Sequence, residues 1–178
     1  MIEITTLNNI PDFEKHQMLE QIQNIFFLST SIKEFSSPER KEAFFKKWCG
    51  DFIRLYPDHF YLMIEEKKLL GYLSGCLNSL QAKTVLEVPG YTVFEDLFDD
   101  FPAHLHINFH PDCRGRGLGS HLVEKFVEDL QSLKIHGVHL ITSPEAKNIS
   151  FYRRLGFTHE VVRSFNSSPL LFMGKKTE

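Results

Sequence analysis

The segment His104–Leu133, HLHINFHPDCRGRGLGSHLVEKFVEDLQSL, changes period once and so constrains the fold more than any other stretch. Leu105, Ile107 and Phe109 alternate with His104, His106, Asn108 and His110, the two-residue period of a strand with one buried face. Pro111 lacks a backbone donor and ends the strand. From Leu118 the apolar positions Leu122, Val123, Phe126, Val127, Leu130 and Leu133 recur at three- and four-residue steps, as on one face of a helix.

Between strand and helix lies Arg114-Gly115-Arg116-Gly117-Leu118-Gly119-Ser120. Three glycines at alternate positions permit positive φ and close approach of the main chain to a ligand, and the first amides of a helix have no intrahelical acceptor. With the positive end of the helix dipole and two arginines, the turn predicts a diphosphate site. It is not a dinucleotide fingerprint, because Ser120 stands where the third glycine of G-x-G-x-x-G belongs, and Gly-Lys-Ser/Thr of a nucleoside triphosphate loop is absent. A strand–turn–helix that only needs glycines is the plainer alternative.

The pattern that fits is Arg-x-x-Gly-x-Gly at Arg114, Gly117 and Gly119. Here the chain resembles the GCN5-related N-acetyltransferase (GNAT) superfamily, in which this motif holds the diphosphate of acetyl-CoA. A second stretch, Asn148-Ile149-Ser150-Phe151-Tyr152-Arg153-Arg154-Leu155-Gly156-Phe157, is similar to the superfamily's F-Y-x-x-L-G-F helix end. Phe151 and Leu155 would pack at i, i+4, and Gly156 would supply a left-handed cap. The resemblance covers residues 102–160 most strongly, and there the chain is also similar to the acetyltransferase-like domains of some N-acetylglucosaminidases.

The resemblance implies an acetyl-CoA-dependent N-acetyltransferase acting by direct attack of an amine, small or on a protein. The main chain around Phe109, His110 and Pro111 would meet the pantetheine arm and thioester, and residues Arg114, Gly115, Arg116, Gly117, Leu118, Gly119 and Ser120 would hold the diphosphate. Tyr152 would be the general acid to the leaving thiolate, or a residue that only stacks or fills core. Seven residues before it, where an asparagine is common, stands Glu145; Asn148 is the nearer candidate for that cofactor contact. His104 and His106 are similar to the paired histidines that relay the proton in arylalkylamine N-acetyltransferases. They could instead be hydrogen-bonded core or surface residues, or bind a metal with His110, although no carboxylate or cysteine completes that set. A non-catalytic acyl-CoA-binding or regulatory module is the alternative to an enzyme.

The whole chain sets bounds. Its 178 residues, 42% hydrophobic with seventeen Phe, suit one well-cored domain over 1–178. A net charge of −3 argues against general nucleic-acid binding. Cys49, Cys76 and Cys113 are odd in number and widely spaced, so no disulfide framework and a cytoplasmic setting are expected. No apolar run approaches a membrane span, and no signal segment opens the chain. Monomer and homodimer stay open.

In order, an edge strand is expected over Met1–Leu7, then a helix from Pro11 to about Leu28 carrying Phe13, Met18, Leu19, Ile22, Ile25 and Phe26. A second begins near Ser37-Pro38-Glu39 and carries Phe44, Phe45, Trp48 and Phe52; by the resemblance both frame the acceptor side. Phe60–Glu65 and Leu69–Leu77 predict a hairpin turning at Glu66-Lys67-Lys68, with Gly71 and Gly75 weakening its second strand or marking a bulge. Ser79–Phe101 is irregular, expected near the acceptor pocket or held down as a surface excursion by its aromatics, and its Glu95, Asp96, Asp99 and Asp100 could steer a cation. Val138–Thr142 predicts a strand, Glu145–Leu155 a helix, and Phe157–Val162 with Leu170–Met173 two closing strands. That order gives an α/β class, a GNAT-like mixed and mostly antiparallel sheet of about seven strands with helices on both faces.

Overall fold

The computed structural model describes all 178 residues. Along the chain run β1 (Ile2–Thr6), α1 (Asp12–Ser29), α2 (Pro38–Phe45), a π-helical turn (Lys46–Gly50), α3 (Asp51–Leu55), β2 (Phe60–Glu65), β3 (Lys68–Cys76) and α4 (Ser79–Ala82). Then follow β4 (Ala103–Phe109), α5 (Leu118–Ser132), β5 (Gly137–Thr142), α6 (Ile149–Arg154), β6 (His159–Phe165) and β7 (Ser168–Lys176). The strands form one mixed, mostly antiparallel sheet in the order β1-β2-β3-β4-β5-β7-β6. The chain packs as two units, residues 1–75 with 106–126 and residues 76–105 with 127–178.

In the first unit, α1 starts after Pro11 with Asp12 and Glu14 at the positive end of its dipole. Its Met18, Ile22, Ile25 and Phe26 are buried, whereas Phe13 and Leu19 of the expected apolar set face solvent. Ser37 caps α2, its hydroxyl accepting from the Arg40 amide at 3.3 Å, and Pro38 takes the first helical position, where no amide is needed. The hairpin turns on Glu66 and Lys67, both at positive φ, so Lys68 is already strand. Met63 faces Gly71 while Ile64 faces Leu69, which leaves Leu70 as the surplus residue of a bulge. The Leu70 carbonyl accepts instead from the His110 amide at 2.9 Å.

In the second unit, β4 and β5 run parallel and pair at Ala103–Val138 and His104–His139. Tyr91, Phe94, Phe98, Phe101 and Phe172 form a buried cluster, so the irregular stretch before β4 supplies core. Its acidic residues are largely engaged: Glu95 with Lys83, Asp96 with Arg163 and Asp100 with Lys176. α6 begins at Ile149 rather than at Glu145, because the Glu145 and Ala146 amides turn back onto Ser143. Gly156 takes φ +89° and ends it as expected. β7 lies between β5 and β6, antiparallel to both. No helix is long and apolar enough to cross a membrane.

Candidate active site

In the first unit the glycine turn is open main chain. Gly115 and Gly117 take φ +74° and +75°, and a Cβ built on either would meet no atom within 4 Å. Gly119 differs from expectation: it lies inside α5 and is not left-handed. The amides of Gly115, Arg116 and Gly117 donate to no carbonyl, and those of Leu118 and Gly119 open a helix and have no acceptor within it. Ser120 closes the turn, its hydroxyl donating to the Gly117 carbonyl at 2.6 Å. The result is a run of N–H groups without a backbone acceptor at the positive end of a helix of fifteen residues, an arrangement that suits an anion.

The two arginines divide their work. Arg114 lies back along the protein surface, donating from Nε to the Phe109 carbonyl at 3.1 Å and from its terminal nitrogen to Ser29 Oγ at 3.1 Å. It thereby ties the end of β4 to the end of α1. Arg116 is exposed and makes no ion pair, so its charge is available to a phosphate. The His110 amide is spent on Leu70, and its Nδ1 accepts weakly from the Asp112 amide at 3.4 Å. Phe109 is nearly buried and Pro111 exposed.

Beside this turn, in the same unit, the two-residue period of β3 and β4 brings Tyr72, Ser74, His106 and Asn108 to one pocket of about 180 Å³. Phe26, Ser29 and Thr30 from the end of α1, Phe44 from α2 and Trp48 from the π-helical turn complete its lining. Trp48 and Phe52 each meet the His106 ring edge-on, with centroids 6.4 and 5.9 Å away. Loss of water at that position pulls the His106 pKa down to about 4, so the imidazole is neutral at physiological pH.

Asn108 Nδ2 donates to the Tyr72 hydroxyl at 3.0 Å, and the Cys49 thiol approaches the same oxygen at 3.7 Å. Burial pushes Cys49 up to about 12 and Tyr72 well above its ordinary value, so both stay protonated. Ser74 Oγ is buried and has no hydrogen-bond partner. No residue of the lining carries a charge at neutral pH.

In the second unit, Tyr152 of α6 is buried between Phe151 and Phe157, with ring centroids 5.1 and 5.9 Å away. Burial raises its pKa, and its hydroxyl makes no hydrogen bond to protein, so it is a protonated phenol with its donor uncommitted. Asn148 precedes α6 with its side chain exposed and capping nothing. His104 is core: its Nδ1 lies 2.8 Å from the Tyr91 hydroxyl and 3.2 Å from Ser79 Oγ. His139 neighbours it, stacked on Phe98 and Phe172. Nowhere do three or more His, Cys, Asp or Glu side chains gather as a metal site would require.

The structure places the predicted glycine turn and His106 in the first unit and Tyr152 in the second; sequence reasoning named Trp48 only as part of a helix framing the acceptor side and passed over Tyr72 and Ser74. The alternation of Tyr72 and Ser74 with Gly71, Leu73 and Gly75 was the available signal.

The sequence model of the acetyltransferase (GNAT) family matches residues 18–157. Among solved structures, SsHAT aligns at TM-score 0.73 with 22% identity, covering 99% of this chain and 98% of that one. PH1933 from Pyrococcus horikoshii OT3 aligns at TM-score 0.72 with 13% identity, over 99% and 98% of the two chains. The ribosomal-protein-S18-alanine N-acetyltransferase from Escherichia coli aligns at 0.61 with 15% identity, over 100% and 95%. At these identities the likenesses speak to the fold alone.

Proposed function

Because this chain belongs to the acetyltransferase (GNAT) family, we propose that it moves an acetyl group from acetyl-CoA directly to an amine nitrogen. The observation that carries this reading is the glycine turn, whose unpaired amides from Gly115 to Gly119 and free Arg116 suit a diphosphate. Acetyl-CoA, when bound, supplies a thioester carbon open to attack.

The chain's own residues would do the rest. The turn amides and Arg116 bind the diphosphate, while Arg114 holds the strand end that carries Phe109. Attack forms the C–N bond and breaks the C–S bond, and Tyr152 gives its hydroxyl proton to the departing sulfur. A phenol kept protonated by burial suits that task. The nitrogen's surplus proton becomes acidic only once the C–N bond forms. A base as weak as His106 accepts it at that stage. His104, held by Tyr91 and Ser79, is assigned no proton transfer. Three buried free thiols fit a reducing, cytoplasmic setting.

The test is thiol release from acetyl-CoA with a panel of amines, for the native protein and for Tyr152→Phe. Removing a general acid lowers kcat by about 10²–10⁴. CoA affinity should stay within twofold, since the ring remains. Equal turnover in the variant removes Tyr152 from the mechanism. CoA binding with no release from any amine replaces the enzyme reading by that of a binding module.

A further inference from the structure

We infer that the pocket over β3 and β4 takes one uncharged aromatic ring bearing a weakly basic nitrogen, which makes the acceptor class an arylamine. The name acceptor rests on the acetyl-transfer reading above; the chemistry of the occupant does not.

Four observations converge. The first is size. At about 180 Å³ the pocket slightly exceeds a cavity of ~150 Å³ that accepts benzene, so one ring with a small substituent fits it. The second is shape and surface. Phe26, Phe44 and Trp48 offer ring faces and edges from the helical side, with Phe26 and Phe44 5.6 Å apart and Phe44 and Trp48 6.3 Å apart. Flat apolar walls favour a flat apolar guest.

The third is charge. The lining contains no Asp, Glu, Lys or Arg. An alkylammonium would enter with no anion to meet it, and burying an unpaired charge is costly. His106, desolvated and neutral, is too weak a base to strip an ordinary ammonium before attack. An arylamine nitrogen is neutral at physiological pH and needs neither service.

The fourth is the Ser74 hydroxyl. It is 1% exposed, lies on the pocket lining and has no partner, although a buried polar atom is normally satisfied. An amino group on the ring would donate to Ser74 Oγ, and the hydroxyl hydrogen could turn toward a ring substituent.

Trp48 is the sole tryptophan of the chain, so its indole N–H gives one NMR resonance that reports on the pocket without any turnover. Aniline, cyclohexylamine, phenyltrimethylammonium and benzoate are titrated in turn against the full chain. Aniline should shift the signal at concentrations at least tenfold below the other three. Ser74→Ala should weaken aniline binding about five- to tenfold, the loss of one hydrogen bond. The same variant should melt no lower than the native protein, because it also removes an unsatisfied polar atom.

If no probe moves the resonance, or if phenyltrimethylammonium or cyclohexylamine binds as well as aniline, the inference is overturned. Unchanged aniline affinity in Ser74→Ala overturns it as well, since the hydroxyl then meets nothing. Aniline binding without thiol release from acetyl-CoA leaves the pocket's chemistry standing and removes the transfer reading instead.

Discussion

Gly71→Ala puts a single methyl group where the structure has no room for it. A Cβ on Gly71 would lie 2.4, 2.5 and 2.6 Å from Cδ1, Cγ and Cε1 of Phe109, well inside van der Waals contact. By local propensity alone the change should help, because alanine limits the unfolded chain more than glycine does, by about 0.4–1 kcal/mol. The clash runs the other way. Moving a nearly buried ring off its rotamer, or parting two paired strands, costs about 1–3 kcal/mol. The net is a loss of about 0–2.6 kcal/mol, and at this chain length each kcal/mol lowers Tm by about 2–4 °C.

The cause can be isolated by a double-mutant cycle. Phe109→Leu alone removes ring volume and leaves a partial cavity, so it destabilises as well. In the double variant the new methyl occupies space the ring vacated, so the two losses should sum to more than the double variant shows, by about 0.5–3 kcal/mol. Urea unfolding of the four proteins, with equal m-values, reads this directly. Additive losses, or a Gly71→Ala protein more stable than the native one, would refute the packing argument and with it the view that a glycine in mid-strand exists to seat Phe109.

Two further predictions concern the same unit. Because the folded pKa of His106 is about 4 and its unfolded value about 6.5, the unfolded chain binds the extra proton first. Its contribution to stability is therefore intact above pH 6.5 and lost as pH falls toward 4; His106→Asn should flatten unfolding free energy across that window, and an unaltered slope counts against the desolvated imidazole. The two arginines should separate by assay: Arg116→Ala weakens CoA binding at least fivefold with unchanged Tm, while Arg114→Ala lowers stability by about 1 kcal/mol through loss of its bonds to Phe109 and Ser29. Equal effects on both readouts would contradict the division of roles.

Much of this fold is legible because it is local. The change of period at Pro111, the glycines after it and the Gly156 cap are properties of short windows, and the structure places strand, turn, helix and cap accordingly. Glu66-Lys67 and Asn166-Ser167 show where local rules weaken: both turns adopt positive φ without glycine, as the paired strands demand. The bulge at Leu70 and the insertion of β7 between β5 and β6 depend on pairings far apart in sequence. The histidines show the same boundary at single-residue scale. Alternation puts His104 and His106 on one face, but only tertiary packing gives the first Tyr91 and Ser79 and the second Trp48 and Phe52.

The widened turn at Lys46–Gly50 makes the aromatic wall unusually easy to retune. There the Asp51 amide reaches back five residues to the Lys46 carbonyl instead of four. Shortening the stretch by one residue would remove the surplus residue and restore ordinary four-residue bonds, with the helix on either side kept in phase. Only the residues inside the turn, Trp48 among them, would change their facing, so a single in-frame codon deletion would alter the aromatic wall while the anion-binding turn stayed as it was.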